Sequence, residues 1–143
     1  MPLVLGTVVL TVALDRRAHT QSATLWGGEF VIHQAASGSG LTTFALAGRR
    51  LCRRGTGHPA TSALAAKAKA RTGTPSLWAR DNHGRFGTRG QNSVATVRGT
   101  YWGTVERCDG TLTVVRNGAV RVHDMRRHST VLVTAGHSYL ARV

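Results

Sequence analysis

Asp109-Gly110-Thr111-Leu112-Thr113-Val114-Val115-Arg116-Asn117-Gly118-Ala119-Val120-Arg121-Val122 contains two alternating apolar runs joined by Asn117-Gly118. An Asn-Gly pair between such runs signals a hairpin, because both residues accept the positive φ of a type I′ turn. This reading points Leu112, Val114, Val120 and Val122 toward a core and leaves Arg116, Arg121 and His123 to solvent or the turn. Upstream, Ser93–Val105 reads as one long strand with Ala95, Val97, Gly99 and Tyr101 on one face. Gly99 inside that run suggests a bulge or a close backbone approach. Downstream, Thr130–Thr134 is a further strand, Ala135-Gly136 a turn, and His137–Ala141 the closing strand.

The same grammar continues toward the N-terminus. Thr7–Leu14, Thr20–Trp26, Glu29–Gln34, Leu41–Leu46 and Arg50–Arg53 read as short strands separated by turn residues. Ser62-Ala63-Leu64-Ala65-Ala66-Lys67-Ala68-Lys69-Ala70-Arg71 has helix-favouring composition but one large apolar residue, so it cannot bury a helical stripe. It reads as a solvated basic linker. The expected organisation is all-β, an antiparallel sandwich or barrel-like architecture: an N-terminal β lobe over 1–54, a basic Ala-rich linker over 55–77, and a second β lobe over 78–143.

The chain has 143 residues, 41% of them hydrophobic, enough for a modest core without a structural metal. Aromatic residues are few, so Trp26, Trp78, Tyr101, Trp102 and Tyr139 are each expected to contribute to packing. The formal net charge is +13. Its composition tempers a nucleic-acid reading: 17 of the 19 basic residues are Arg, a skew that fits GC-rich codon usage. The arginines are dispersed over turns and outward strand positions. Specific nucleic-acid recognition is therefore not expected, and a polyanion-binding role stands as the alternative, carried by Lys67, Lys69, Arg71 and Arg98. For Arg98 itself the favoured reading is a cross-strand ion pair with Glu106 or Asp109.

Cys52 and Cys108 make neither a CxxC pair nor a zinc constellation. The favoured reading is a disulfide that staples the two lobes and implies an oxidising compartment, with two buried thiols as the alternative. Met1-Pro2-Leu3-Val4-Leu5 lacks the preceding positive charge of a signal peptide and is too short to span a membrane. The expectation is an extracytoplasmic protein, periplasmic, surface-attached or secreted, that is a monomer or part of a longer exported chain.

In the second lobe, Val97-Arg98-Gly99-Thr100 followed by an aromatic residue, Asp109-Gly110-Thr111, Gly118-Ala119-Val120-Arg121-Val122 and Val133-Thr134-Ala135-Gly136-His137-Ser138-Tyr139 succeed one another. In this order and spacing, residues 84–143 resemble the FecR-like domain. The resemblance implies an all-β extracytoplasmic module of bacterial envelope and surface proteins, and it supplies no catalytic residues. The membrane helix and cytoplasmic anti-sigma segment of the full signalling regulators are not seen in this sequence.

Chemistry-bearing patterns are sparse. The seven histidines show no HxH or HExxH spacing. Ser138 lacks a G-x-S-x-G setting, six acidic residues offer no evident carboxylate pair, and the glycine clusters open no phosphate-binding helix. The expectation is a non-enzymatic extracytoplasmic or cell-surface module without cofactor or metal that mediates protein interaction or envelope sensing, with a protein or cell-wall partner.

Overall fold

The structure is a computed structural model that describes residues 6–13, 17, 19–34, 41–48, 52, 75–82, 84–97 and 99–143. The described residues form strands and turns and no helix. In chain order the strands are β1 (Thr7–Ala13), β2 (Thr20–Trp26), β3 (Phe30–Gln34), β4 (Thr42–Leu46), β5 (Ser76–Asp81), β6 (Phe86–Arg89), β7 (Ser93–Val97), β8 (Tyr101–Arg107), β9 (Gly110–Asn117), β10 (Ala119–Asp124), β11 (Ser129–Thr134) and β12 (Ser138–Arg142). Two six-stranded sheets face each other, in the orders β1-β2-β5-β8-β9-β12 (sheet A) and β11-β10-β7-β6-β4-β3 (sheet B). Every pairing is antiparallel except β4 with β6. The expected all-β sandwich is what the chain forms.

The strands of residues 7–46 and those from Ser76 onward share both sheets: β2 pairs with β5, and β4 with β6. β5 begins at Ser76, two residues before the second lobe was expected to open. Residues 55–74 of the expected 55–77 linker lie outside the described residues, as do 50, 51 and 53 of the expected Arg50–Arg53 strand, while Ser76 and Leu77 of the expected linker already belong to β5.

The chain crosses repeatedly between sheets, and this corrects the reading of Asn117-Gly118. β9 lies in sheet A beside β8 and β12, whereas β10 lies in sheet B beside β7 and β11. Asn117-Gly118 is therefore a corner between layers and not a hairpin turn. A type I′ turn needs positive φ at both residues. Here Gly118 alone adopts it, at 77°. The expected Ser93–Val105 strand divides for the same reason: β7 belongs to sheet B and β8 to sheet A, with Gly99 (φ 65°) at the corner. The Ala135-Gly136 turn likewise carries the chain from β11 in sheet B to β12 in sheet A.

The core lies between the sheets. Leu25, Leu77, Trp102 and Val115 from sheet A meet Phe44, Phe86, Val120 and Val122 from sheet B, all fully or almost fully buried. Phe44 stacks on Phe86 with centroids 5.5 Å apart and takes the edge of Phe30 at the same distance. The Trp102 indole N–H needs a partner in this interior. It donates to Thr88 Oγ1 (3.0 Å), which in turn shares a hydrogen bond with Thr104 (2.7 Å).

β9 presents the face opposite to the one expected. Thr111, Thr113 and Val115 point inward, while Leu112 and Val114 are half-buried on the outside. Val120 and Val122 are in the core as expected. Thr and Val are close in shape, so alternation alone cannot choose the face. Hydrogen bonding settles it for Thr111, whose hydroxyl donates to Glu106 Oε1 (2.5 Å) and accepts from the Asn92 N–H (3.0 Å). A buried hydroxyl with such partners avoids the desolvation penalty that otherwise excludes it.

Candidate functional site

The outer face of sheet A is built by strand register. One cross-strand row runs Thr7, Trp26, Trp78, Gly103, Val114, Ser138. The adjacent row runs Val9, Thr24, Arg80, Tyr101, Asn117. On the other side lie Ser76, Val105, Leu112 and Leu140. Three of the five aromatic residues expected in the packing thus meet on the solvent side of the sheet, and only Trp102 is completely enclosed.

Trp26, Trp78 and Tyr101 form one half-buried cluster. Tyr101 lies 5.5 Å from Trp26 (interplanar angle 56°) and 5.9 Å from Trp78 (73°), centroid to centroid. Gly103 is the floor beneath Trp78: a Cβ at that position would sit 2.6 Å from the indole ring. Two guanidinium groups cover the cluster, Arg80 over Tyr101 at 4.9 Å and Arg116 over Trp78 at 5.2 Å. Each such cation–π contact contributes about 0.5–1 kcal/mol where water has access. Val9, 68% exposed, extends the apolar rim at the β1 edge.

The electrostatics follow from where the acids went. Of the six acidic residues, Asp81, Glu106 and Asp124 are buried and hold turns together. Asp81 accepts N–H bonds from Gly84 (3.1 Å), Gly99 (3.0 Å) and Thr100 (2.5 Å), pinning two of the corners between sheets. Glu106 accepts from Thr111 and from the Gln91 N–H (3.2 Å). Asp124 accepts from the Arg126 and Arg127 N–H groups (both 3.1 Å) and from the Tyr139 hydroxyl (2.7 Å). Burial raises the Asp124 pKa, but the Arg127 N–H, the Tyr139 hydroxyl, the Arg126 N–H and the Arg127 charge together bring it below its ordinary value. The bond to Asp124, then burial and the Asp124 charge, push the Tyr139 pKa up. Asp109 is ion-paired with Arg107 at 2.7 Å. With half of its acids inside, the surface is more basic than the net charge conveys.

Cys52 and Cys108 form the expected disulfide, with Cα atoms 5.2 Å apart, and it ties residue 52 to the β8–β9 turn. Lys67, Lys69, Arg71 and Arg98, the expected polyanion contacts, lie outside the described residues. The two acids considered as partners for Arg98 are engaged by Arg107 and by Thr111 with Gln91. Among the described residues no group of three His, Cys, Asp or Glu side chains could hold a metal. His123 and His137 instead bond to Thr130 and Thr134, each at 3.2 Å. No helix among the described residues is long and apolar enough to cross a membrane.

The aromatic cluster escaped the sequence reading, yet a signal for it exists. Trp26 has the parity of Thr20, Ser22 and Thr24, and Trp78 that of Ser76 and Arg80. A large aromatic on the polar side of an alternating strand marks an exposed ring. Fold and surface together define a two-sheet β-sandwich carrying an aromatic–arginine patch on one outer face. No family model, curated protein or solved structure matches the chain.

Proposed function

We propose that this protein is a non-catalytic, extracytoplasmic β module that binds another protein through the outer face of sheet A. The observation that carries this reading is the half-buried Trp26–Trp78–Tyr101 cluster flanked by Arg80 and Arg116. Trp, Tyr and Arg are the residues that dominate the energetics of protein interfaces. The cluster, with the half-buried aliphatic side chains beside it, supplies an apolar centre, and the two arginines a polar rim. The partner's chemistry follows: an apolar patch edged by carboxylates. The resemblance of residues 84–143 to FecR-like domains of envelope proteins supports the same class of function. The disulfide supports an oxidising location.

A second reading, general polyanion binding, rests on the charge of +13 with three acids buried. Ring geometry favours the first. Planes inclined at 56° and 73° present edges and corners, whereas successive bases on a single strand stack on accessible ring faces. Salt separates the two readings. Single-stranded DNA binding should fall steeply with log salt. A glutamate–tyrosine copolymer should keep an apolar share of its affinity at high salt. An equal and steep loss for both ligands would favour the polyanion reading.

A further inference from the structure

The end of the molecule opposite the sheet-crossing corners, where β10 turns into β11 within sheet B and β12 ends beside the β8–β9 turn, holds a second feature, independent of the aromatic face. The β10–β11 turn and the end of β12 enclose a cleft of about 310 Å³ lined by Asp124, Arg126, Arg127 and Arg142. Its aspartate is an anchor: Asp124 is 2% exposed, and both carboxylate oxygens are occupied, one by the Arg126 and Arg127 N–H groups and the other by the Tyr139 hydroxyl. Those bonds fix the turn that presents two successive arginines opposite Arg142. Arg126 donates from Nη1 to the Val143 carbonyl and keeps its other N–H groups. The guanidinium groups of Arg127 and Arg142 are exposed and make no hydrogen bond to another described residue.

Three arginines and one buried aspartate line one concave space, which is therefore net positive. A concave surface lined by one sign of charge focuses its field and attracts ions of the opposite sign. Guanidinium forks match tetrahedral oxyanions through paired N–H···O bonds, a geometry that a single ammonium cannot reproduce. We propose that the Arg126–Arg127–Arg142 cleft is a binding site for a phosphate-class oxyanion, offered either as a soluble phosphate or as the headgroup of an anionic lipid.

Calorimetric titration of the intact protein with inorganic phosphate at low ionic strength tests this. One saturable site is expected, weakened about tenfold by Arg127→Gln or Arg142→Gln, the loss typical of a charge-assisted hydrogen bond. Arg121→Gln, an exposed arginine on the outer face of sheet B, should leave binding unchanged. These positions are exposed, so unchanged melting curves will show that the variants fold. Vesicles of phosphatidylglycerol, compared with phosphatidylcholine, distinguish the sources. Retention on the anionic vesicles, competed by phosphate and lost in Arg142→Gln, supports a headgroup ligand. Saturable phosphate binding without vesicle retention supports a soluble one. Absence of saturable binding to either probe, or an equal loss in Arg121→Gln, overturns the proposal.

Discussion

The Trp78 ring rests on Gly103, directly across the β5–β8 ladder, and a Cβ at position 103 would come within 2.6 Å of the ring. A glycine on β8 thereby sets the height of the indole and, through it, the positions of Tyr101 and Arg116. Gly103→Ala should displace Trp78, destabilise the fold by about 1–3 kcal/mol, and alter the near-ultraviolet circular dichroism. A variant with unchanged stability and spectrum would show that the ring does not rest there.

The corner at Gly118 distinguishes two topologies. A Cβ on Gly118 meets the Gly99 carbonyl and Thr100 Oγ1, each at 3.0 Å, in a conformation disfavoured for any side chain. Gly118→Ala should cost about 1–2 kcal/mol or more, whereas exposed Asn117→Ala should cost less than about 0.5 kcal/mol. Chemical denaturation measures both. Comparable losses at the two positions would point back to a hairpin, in which each residue needs positive φ.

Asp124 makes stability depend on acid. Its folded pKa lies below the ordinary 3.8, so the folded chain holds the carboxylate more strongly than the unfolded chain does. That contribution is present above pH 3.8 and is lost as pH falls from there through the lower folded value. Asp124→Asn should cost about 1.5–3 kcal/mol near neutrality and flatten the acid limb of a stability–pH curve. For Tyr139 the sign is opposite. Its raised pKa gives a contribution that is complete below pH 10 and lost as pH rises through the folded value, and Tyr139→Phe should abolish that alkaline limb.

The Cys52–Cys108 bond closes a long loop, with a sequence separation of 56. Restricting the unfolded chain in this way contributes about 4 kcal/mol on loop-entropy grounds. Melting curves with and without reductant should differ accordingly, and non-reducing peptide mapping should recover the linked pair. Two free thiols in protein prepared under oxidising conditions would contradict the pairing.

Much of this architecture is legible in the sequence because strand periodicity is local. Val120 and Val122 fall on the core side of β10, with Arg121 and His123 outside, as their alternation requires. The ambiguities arise where local rules give the same answer for different structures. Asn117-Gly118 suits a hairpin by composition, and only the register of β9 and β10 in separate sheets makes it a corner. β9 carries β-branched residues on both faces, so the choice between Thr113 and Val114 as the inward residue is made by neighbouring strands. The aromatic face is the least legible feature. It depends on β2, β5 and β8 becoming neighbours, although they are dispersed between Thr20 and Arg107. The Arg126–Arg127–Arg142 cleft is equally non-local, since β12 must return beside the β10–β11 turn.

The most direct test of the central claim is a titration of indole emission, since Trp26 and Trp78 lie on the proposed face and Trp102 is enclosed. With red-edge excitation, a glutamate–tyrosine copolymer should produce a saturable change in emission that persists at high salt. Arg116→Gln should weaken it, Trp78→Leu should largely remove it, and Arg121→Gln on the opposite sheet should leave it intact. An unchanged spectrum, or a change equally sensitive to Arg121→Gln, would contradict the assignment of sheet A's outer face as the binding surface.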